Sequence, residues 1–258
     1  MDERPTPSPT AIPAASAVVF RRAPVPGAPQ ILLVERAPHM RFAAGATVFP
    51  GGKIDAADHE LAAHLLPGAA DPVDAAARVA AVRETLEEAG LALAVKHSVT
   101  LDEVSAARAA LLENGALAPV LEQFGWKLDL ARLVPFARWC PHWDRAFDTR
   151  FYITDIGTGA VSLEVDGTEN TRLFWAGAAE AMAMAEQGEI ELIFPTARNL
   201  ERLARFEDFQ TARNEAAAVP LHTITPWIEE RDGHPHLTIP EGLGYPVTSA
   251  RSDMLRRD

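Results

Sequence analysis

Three glutamates fall within about one helical turn of this sequence, Glu84, Glu87 and Glu88, with Arg83 before them and Gly90 shortly after. On a helix each residue turns by about 100°. With Glu84 set at zero, Glu87 falls near ~300° and Glu88 near ~40°, so the three carboxylates share one face. Val79, Val82 and Leu86 fall on the opposite face, which therefore reads as core. Like charges at this spacing repel one another by roughly a few tenths of a kcal/mol per exposed pair. They also crowd a helix C-terminus, where the macrodipole disfavours anions. A bound cation removes both penalties, and a donor set made only of oxygen suits Mg²⁺, which takes one or two carboxylates, waters and substrate phosphates. Arg83 is placed to pair with one carboxylate and fix its rotamer. A solvated acidic face is the competing explanation for any such triplet. What favours a metal is the surrounding sequence: Gly51-Gly52 follows a short strand upstream, and Gly90 stops the helix just after the carboxylates.

The elements that must position this cluster are readable in part. Asp71-Pro72 opens a helix from Val73 to about Ala89, closed by Gly90. Upstream, Val18-Val19-Phe20 and Ile31-Leu32-Leu33-Val34 flank a Pro/Gly turn and predict a hairpin, and Thr47-Val48-Phe49 predicts a third strand. A short helix is expected over 60–66 and a strand over 91–95. Further helices are expected over 102–114, 178–187 and 195–206, and strands over 133–139, 147–154 and 173–175. His222 to Ile228 and His236 to Ile239 can pair across Asp232-Gly233. Strands and helices alternate irregularly, which predicts a mixed α/β (α+β) domain with additions.

Composition sets limits on the chemistry. The chain has 258 residues, 24 Lys+Arg against 36 Asp+Glu, and a net charge of −12. That balance argues against non-specific binding to nucleic acid or to an anionic membrane. An anionic substrate would need a metal or a local arginine cluster to hold it. The single cysteine, Cys140, excludes an intramolecular disulfide and reads as an idle thiol. The histidines show no metal-ligand spacing, so a zinc site is not expected. No apolar run reaches the roughly 20 residues needed to span a bilayer, and the acidic N-terminus has no secretory h-region, so a cytoplasmic location is expected. Residues 1–13, with Pro5, Pro7, Pro9 and Pro13, read as a flexible tail.

From Arg83 to Leu91 the chain resembles the second half of the box of the Nudix hydrolases, G-x5-E-x7-R-E-U-x-E-E-x-G-U, with Thr85 at the first apolar position U. Gly52 fits the opening glycine, and Asp58 stands where the first glutamate is expected. The spacing then departs from the family, as an insertion of roughly 17 residues over about 55–72, which a loop tolerates at modest entropic cost. Upstream, Leu32-Leu33-Val34-Glu35-Arg36-Ala37, then Arg41, Gly45 and Phe49-Pro50-Gly51-Gly52, is similar to the motif of the coenzyme A diphosphatases of that family, with Val34 in place of Thr.

This resemblance implies an α/β/α sandwich with a mixed β-sheet. Its catalytic domain would span about 14–215, with an inserted loop or helix, and a C-terminal extension over 216–258 would pack on the same domain. The implied activity is metal-dependent hydrolysis of a nucleoside diphosphate derivative, CoA or acyl-CoA, giving 3′,5′-ADP and a 4′-phosphopantetheine product. A diphosphatase for ADP-ribose or NADH, and a non-catalytic nucleotide sensor, are the alternatives. Glu84, Glu87, Glu88 and the Gly52 carbonyl would hold Mg²⁺ or Mn²⁺, and Arg83 would orient a glutamate. Arg36, Arg41, Gly45 and Phe49 would meet the substrate. Glu87, Glu164 and Glu169 are candidates for the general base, and the sequence does not choose among them. Dimers are common in the family, so a homodimer is compatible with the resemblance.

Overall fold

The computed structural model describes residues 4–23, 27–40, 42–156 and 169–252. Arg41 and Glu164, two of the residues singled out above, lie outside the described residues. The strands of the main sheet are β1 (Ile12–Arg21), β2 (Gln30–Arg36), β3 (Thr47–Val48), β4 (Gly51–Lys53), β5 (Val134–Trp139), β6 (Phe147–Asp155), β7 (Asn170–Gly177) and β8 (Thr223–Ile224). They run in the order β3-β2-β1-β6-β5-β8, with β4 also paired to β1 and β7 to β2. β1 pairs parallel to β6 and antiparallel to β2 and β4, so the sheet is mixed.

Both faces of this sheet are covered, and the period-2 alternation of its central strands shows why. On β1, Ala15, Ala17 and Val19 join one buried cluster, and Val18 and Phe20 join the other. On β2, Leu32 faces the first cluster, and Ile31 and Leu33 face the second. The first cluster is closed by helices α1 (Ala56–Leu65), α2 (Pro72–Ala89), α3 (Leu101–Asn114) and α4 (Leu117–Phe124). The second is closed by α5 (Ala178–Glu186), α6 (Phe194–Leu203) and α7 (Phe209–Ala218). The result is the α/β/α sandwich with a mixed sheet that the family resemblance implied.

Several expectations need correction. The strand over 91–95 does not form. Leu91, Leu93 and Val95 are buried, but Ala94 adopts φ 59°, which breaks an extended run, and a single bridge from Val95 to Leu128 remains. The helix expected over 60–66 begins earlier, at Ala56, because Asp58 in its first turn accepts the Asp55 N–H at 2.9 Å. α4 and α7 were not anticipated; Pro119 lies in the first turn of α4, where proline is tolerated.

The tail expected over 1–13 is docked from Ser8 onward. Ser8 is buried and donates its N–H to the Pro141 carbonyl, and β1 starts at Ile12. The boundary drawn at 215/216 falls inside α7, and the segment beyond it contributes β8 to the main sheet beside β5. That segment also forms a second sheet of β9 (Trp227–Arg231), β10 (His234–Thr238) and β11 (Ser249–Arg251). β9 and β10 pair across Asp232-Gly233, both at positive φ, as the hairpin reading required. Tyr245 from this segment is core: it accepts the Trp139 indole N–H at 3.1 Å and donates to Asn199 Oδ1 at 2.8 Å.

Candidate active site

α2 carries the carboxylates and is fixed at both ends. The Asp71 side chain accepts the Val73 and Asp74 N–H groups, Pro72 occupies the first turn, and Gly90 closes the helix in the left-handed region, where its missing Cβ avoids strain. Thr85, which departs from the family pattern, is fully buried, and its hydroxyl donates to the Ala81 carbonyl at 2.7 Å, so no polar atom is stranded.

The macrodipole penalty identified from the sequence has a structural answer. Arg108 of α3 is buried and donates to the Glu87 carbonyl at 2.9 Å. It places a guanidinium on the last carbonyls of α2, where a cation is favoured.

Arg83 is the hub of the site. It is 5% exposed. Its Nε and Nη2 donate to the two oxygens of Asp58 at 3.0 and 2.9 Å, and Nη2 also reaches the Lys53 carbonyl at 2.9 Å. Nη1 pairs with Glu84 at 2.9 Å and with Glu87 at 3.6 Å. Burial works against the Arg83 charge, but the hydrogen bond to Asp58 and the charges of Glu84, Asp58 and Asp55 outweigh it and hold the guanidinium protonated well above its usual range. Asp58, the stand-in for the family's first glutamate, is thus the residue that locks Arg83. The inserted residues leave it in place because they extend α1 and the α1–α2 connection beyond it.

Glu84 rests on the Gly52 backbone. A Cβ built on Gly52 would lie 2.3 Å from Glu84 Oε1. Glu88 is 3% exposed, accepts the Gly51 N–H at 2.9 Å, and has Arg36 Nη1 at 3.9 Å. Burial, then the charges of Glu87 and Asp58, push Glu84 up to about 7 against the pull of Arg83. Burial and the charge of Glu84 push Glu88 up to about 8 despite the Gly51 N–H, the Asn170 amide and Arg36. Glu87 is the more exposed of the three, with 38% of its side chain accessible.

Two buried carboxylates that are hard to ionise together, an oxygen-only set, and a glycine that leaves room for Glu84 match a hard cation in chemistry. Among the described residues, no three His, Cys, Asp or Glu side chains are already gathered around one point. Arg83 holds Glu84 and Glu87, while Gly51 and Asn170 hold Glu88.

The two glycines separate in a testable way. A Cβ on Gly51 would meet the Ala15 carbonyl oxygen at 2.3 Å, which is backbone of the paired strand and cannot yield. Gly51→Ala is therefore expected to cost about 2 kcal/mol or more in urea unfolding. The atoms nearest a Cβ on Gly52 all belong to the carboxyl end of the Glu84 side chain, not to backbone, so Gly52→Ala should fold and lose function by displacing that carboxylate. Equal stability losses in the two variants would contradict this assignment.

Arg36 is brought to the site: besides approaching Glu88, its Nε donates to the Phe42 carbonyl at 3.2 Å. Gly45 turns the β2–β3 loop at φ 71° and donates its N–H to the Arg36 carbonyl, a structural role. Phe49 is corrected: it is 2% exposed and packs edge-on to Phe151 in the second core cluster, so its ring supports the Pro50–Gly52 turn instead of facing a substrate. Glu169 is exposed and its carbonyl accepts the Ala37 N–H. The residue after it, Asn170, is the one buried against Glu88. Asn170 and Arg108 were missed, since nothing in a single sequence marks a partner that arrives from another element. Cys140 is buried, and burial pushes its thiol up, as an idle role requires. No described helix is long and apolar enough to cross a membrane.

No family model matches the chain. The crystal structure of a NUDIX hydrolase from Alicyclobacillus acidocaldarius is similar to it at 31% sequence identity and TM-score 0.66, covering 79% of this chain and 96% of that one. An acyl-coenzyme A diphosphatase from Gallus gallus, NUDT19, is 24% identical over 266 residues, covering 81% of this chain and 70% of that protein.

Proposed function

The chain belongs to the Nudix hydrolase family, and on that footing we propose that it hydrolyses the diphosphate bond of CoA or an acyl-CoA. Water would add across the P–O–P linkage to give 3′,5′-ADP and (acyl-)4′-phosphopantetheine. The observation that carries this reading is the convergence of Glu84, Glu88, Gly52 and Arg36 at the C-terminal end of α2, because Arg36 belongs to the upstream motif similar to that of CoA diphosphatases. The similarity to a relative named as an acyl-CoA diphosphatase supports the same substrate class.

Glu84, Glu87, Glu88 and the Gly52 carbonyl would hold Mg²⁺ or Mn²⁺. When bound, such an ion neutralises the diphosphate, lowers the pKa of a bound water and stabilises the leaving phosphate. Arg83 would fix the Glu84 rotamer through the 2.9 Å pair. Arg36 would present a planar donor fork to a phosphate oxygen. Glu87, the most accessible of the three glutamates, is the carboxylate best placed to accept the proton of the attacking water. The reading places the enzyme in the cytoplasm.

The test is a substrate panel with Mg²⁺ or Mn²⁺: CoA, acyl-CoA, ADP-ribose and NADH, with products followed by mass. The CoA reading expects 3′,5′-ADP from the first two at the highest kcat/KM. Preference for ADP-ribose or NADH would overturn the substrate class, and nucleotide binding without turnover of any would overturn catalysis.

A further inference from the structure

Three strands besides its own helix reach Glu88, and of these β7 alone lies outside the motifs read from the sequence. β4 gives the Gly51 N–H, and β2 gives Arg36. The third contact comes from Asn170, the first residue of β7, which is 2% exposed and whose side-chain amide donates to the Glu88 carboxylate.

Strand register explains how Asn170 gets there. β7 pairs antiparallel with β2 in a regular ladder from Gln30↔Gly177 to Glu35↔Arg172. The ladder then slips, so that Arg36 faces Asn170 and Thr171 is extra. Simple alternation from exposed Arg172 would turn Thr171 inward and Asn170 outward. With the bulge, Thr171 and Arg172 are both exposed and Asn170 turns in. The Thr171 hydroxyl donates to the Glu35 carbonyl at 3.3 Å, which anchors the bulge. A bulge of this kind re-aims one side chain beside a site.

We propose that Asn170 is the positioning residue of Glu88, turned inward by the β2–β7 bulge so that its amide fixes the carboxylate in the orientation a divalent cation requires. This rests on the reading of Glu88 as a metal ligand. Outer partners of ligating carboxylates act by orienting them, and their loss costs about 10–100-fold in metal affinity.

The experiment is Mn²⁺ titration of the intact protein, followed by the free-ion electron paramagnetic resonance signal. The variants are Asn170→Ala, Asn170→Leu, Glu88→Gln and the Glu88→Gln/Asn170→Ala double. Melting in chelator reports folding separately, and Asn170→Leu keeps the volume without the donor or a new charge if the alanine fails to fold.

Both Asn170 variants are expected to bind Mn²⁺ about 10–100-fold more weakly. The double variant should bind no more weakly than Glu88→Gln alone, since Asn170 acts through that carboxylate. At saturating Mn²⁺ the KM for the nucleotide should be unchanged while kcat recovers toward the parent. Unchanged Mn²⁺ affinity in both Asn170 variants, with Glu88→Gln weakened, overturns the Asn170 assignment alone. Unchanged affinity in Glu88→Gln overturns the metal reading and this inference with it.

Discussion

Glu88→Gln is expected to lower turnover by about 10²–10³-fold while the protein still folds, the scale seen when one preorganised charge-stabilising group is lost from an active site. Glutamine keeps the volume of the side chain and an oxygen for the Gly51 N–H that Glu88 now accepts at 2.9 Å. What it removes is the negative charge in a buried place, beside Glu84.

That charge also sets a stability profile with a definite sign. The native carboxyls of Glu84 and Glu88 sit at about 7 and about 8, above the ordinary value of 4.5. Between those limits the folded state binds more protons than the unfolded chain, so metal-free stability falls as pH rises from 4.5 to 8. At about pH 3.5, below the unfolded value, both states hold these protons, and parent and Glu88→Gln should melt alike in chelator. At about pH 8.5 the variant should melt higher, because one of the two buried charges is gone. Mg²⁺ should raise the melting temperature of the parent more at about pH 8.5 than at about pH 6, since the ligands must be deprotonated to bind. The same ion should act more weakly on the variant. Scanning fluorimetry with and without chelator, beside a turnover assay, checks all of these. Parent-level activity in Glu88→Gln would remove it from the site.

Arg83→Met carries the largest expected effect on stability. The substitution leaves Asp58, 1% exposed, without the guanidinium that meets both of its oxygens. Breaking one side of a buried pair costs about 3–5 kcal/mol, because the remaining charge stays buried and unpaired. The Lys53 carbonyl loses its donor at the same time, and Glu84 its partner.

Arg83→Lys should recover only a small part of this. One ammonium cannot serve Asp58 through two nitrogens and still reach Lys53 and Glu84. Asp58→Asn should cost less than Arg83→Met, since the amide oxygen can still accept from the Asp55 N–H or from Arg83. Urea unfolding in chelator measures the series without metal binding in the reading. An Arg83→Met cost within about 1 kcal/mol of zero would show that the hub is solvated and not a buried pair.

The insertion is where local and long-range determinants part. Asp58 could be matched to the family position of a glutamate, but with 24 residues before Arg83 the sequence did not show that the two meet. They meet because α1 starts at Ala56 and packs along α2, which keeps Asp58 in the first turn and sends the extra residues onward.

The sequence by itself determined α2, its face of three glutamates and its stops at Asp71-Pro72 and Gly90, because helix periodicity and capping act over a few residues. It also determined the β1–β2 hairpin, through its β-rich runs and turn residues, while the sheet covered on both faces was implied by the family resemblance. Only the tertiary structure decided which groups close on that face. Arg108 arrives from α3, and Asn170 arrives from β7 by way of a bulge that no local pattern announces. Phe49 was assigned to the core, against its motif, by the ring of Phe151 on a distant strand. The physical reason is common to all of them: backbone preferences are local, whereas a buried charge is satisfied by whatever donor the topology delivers.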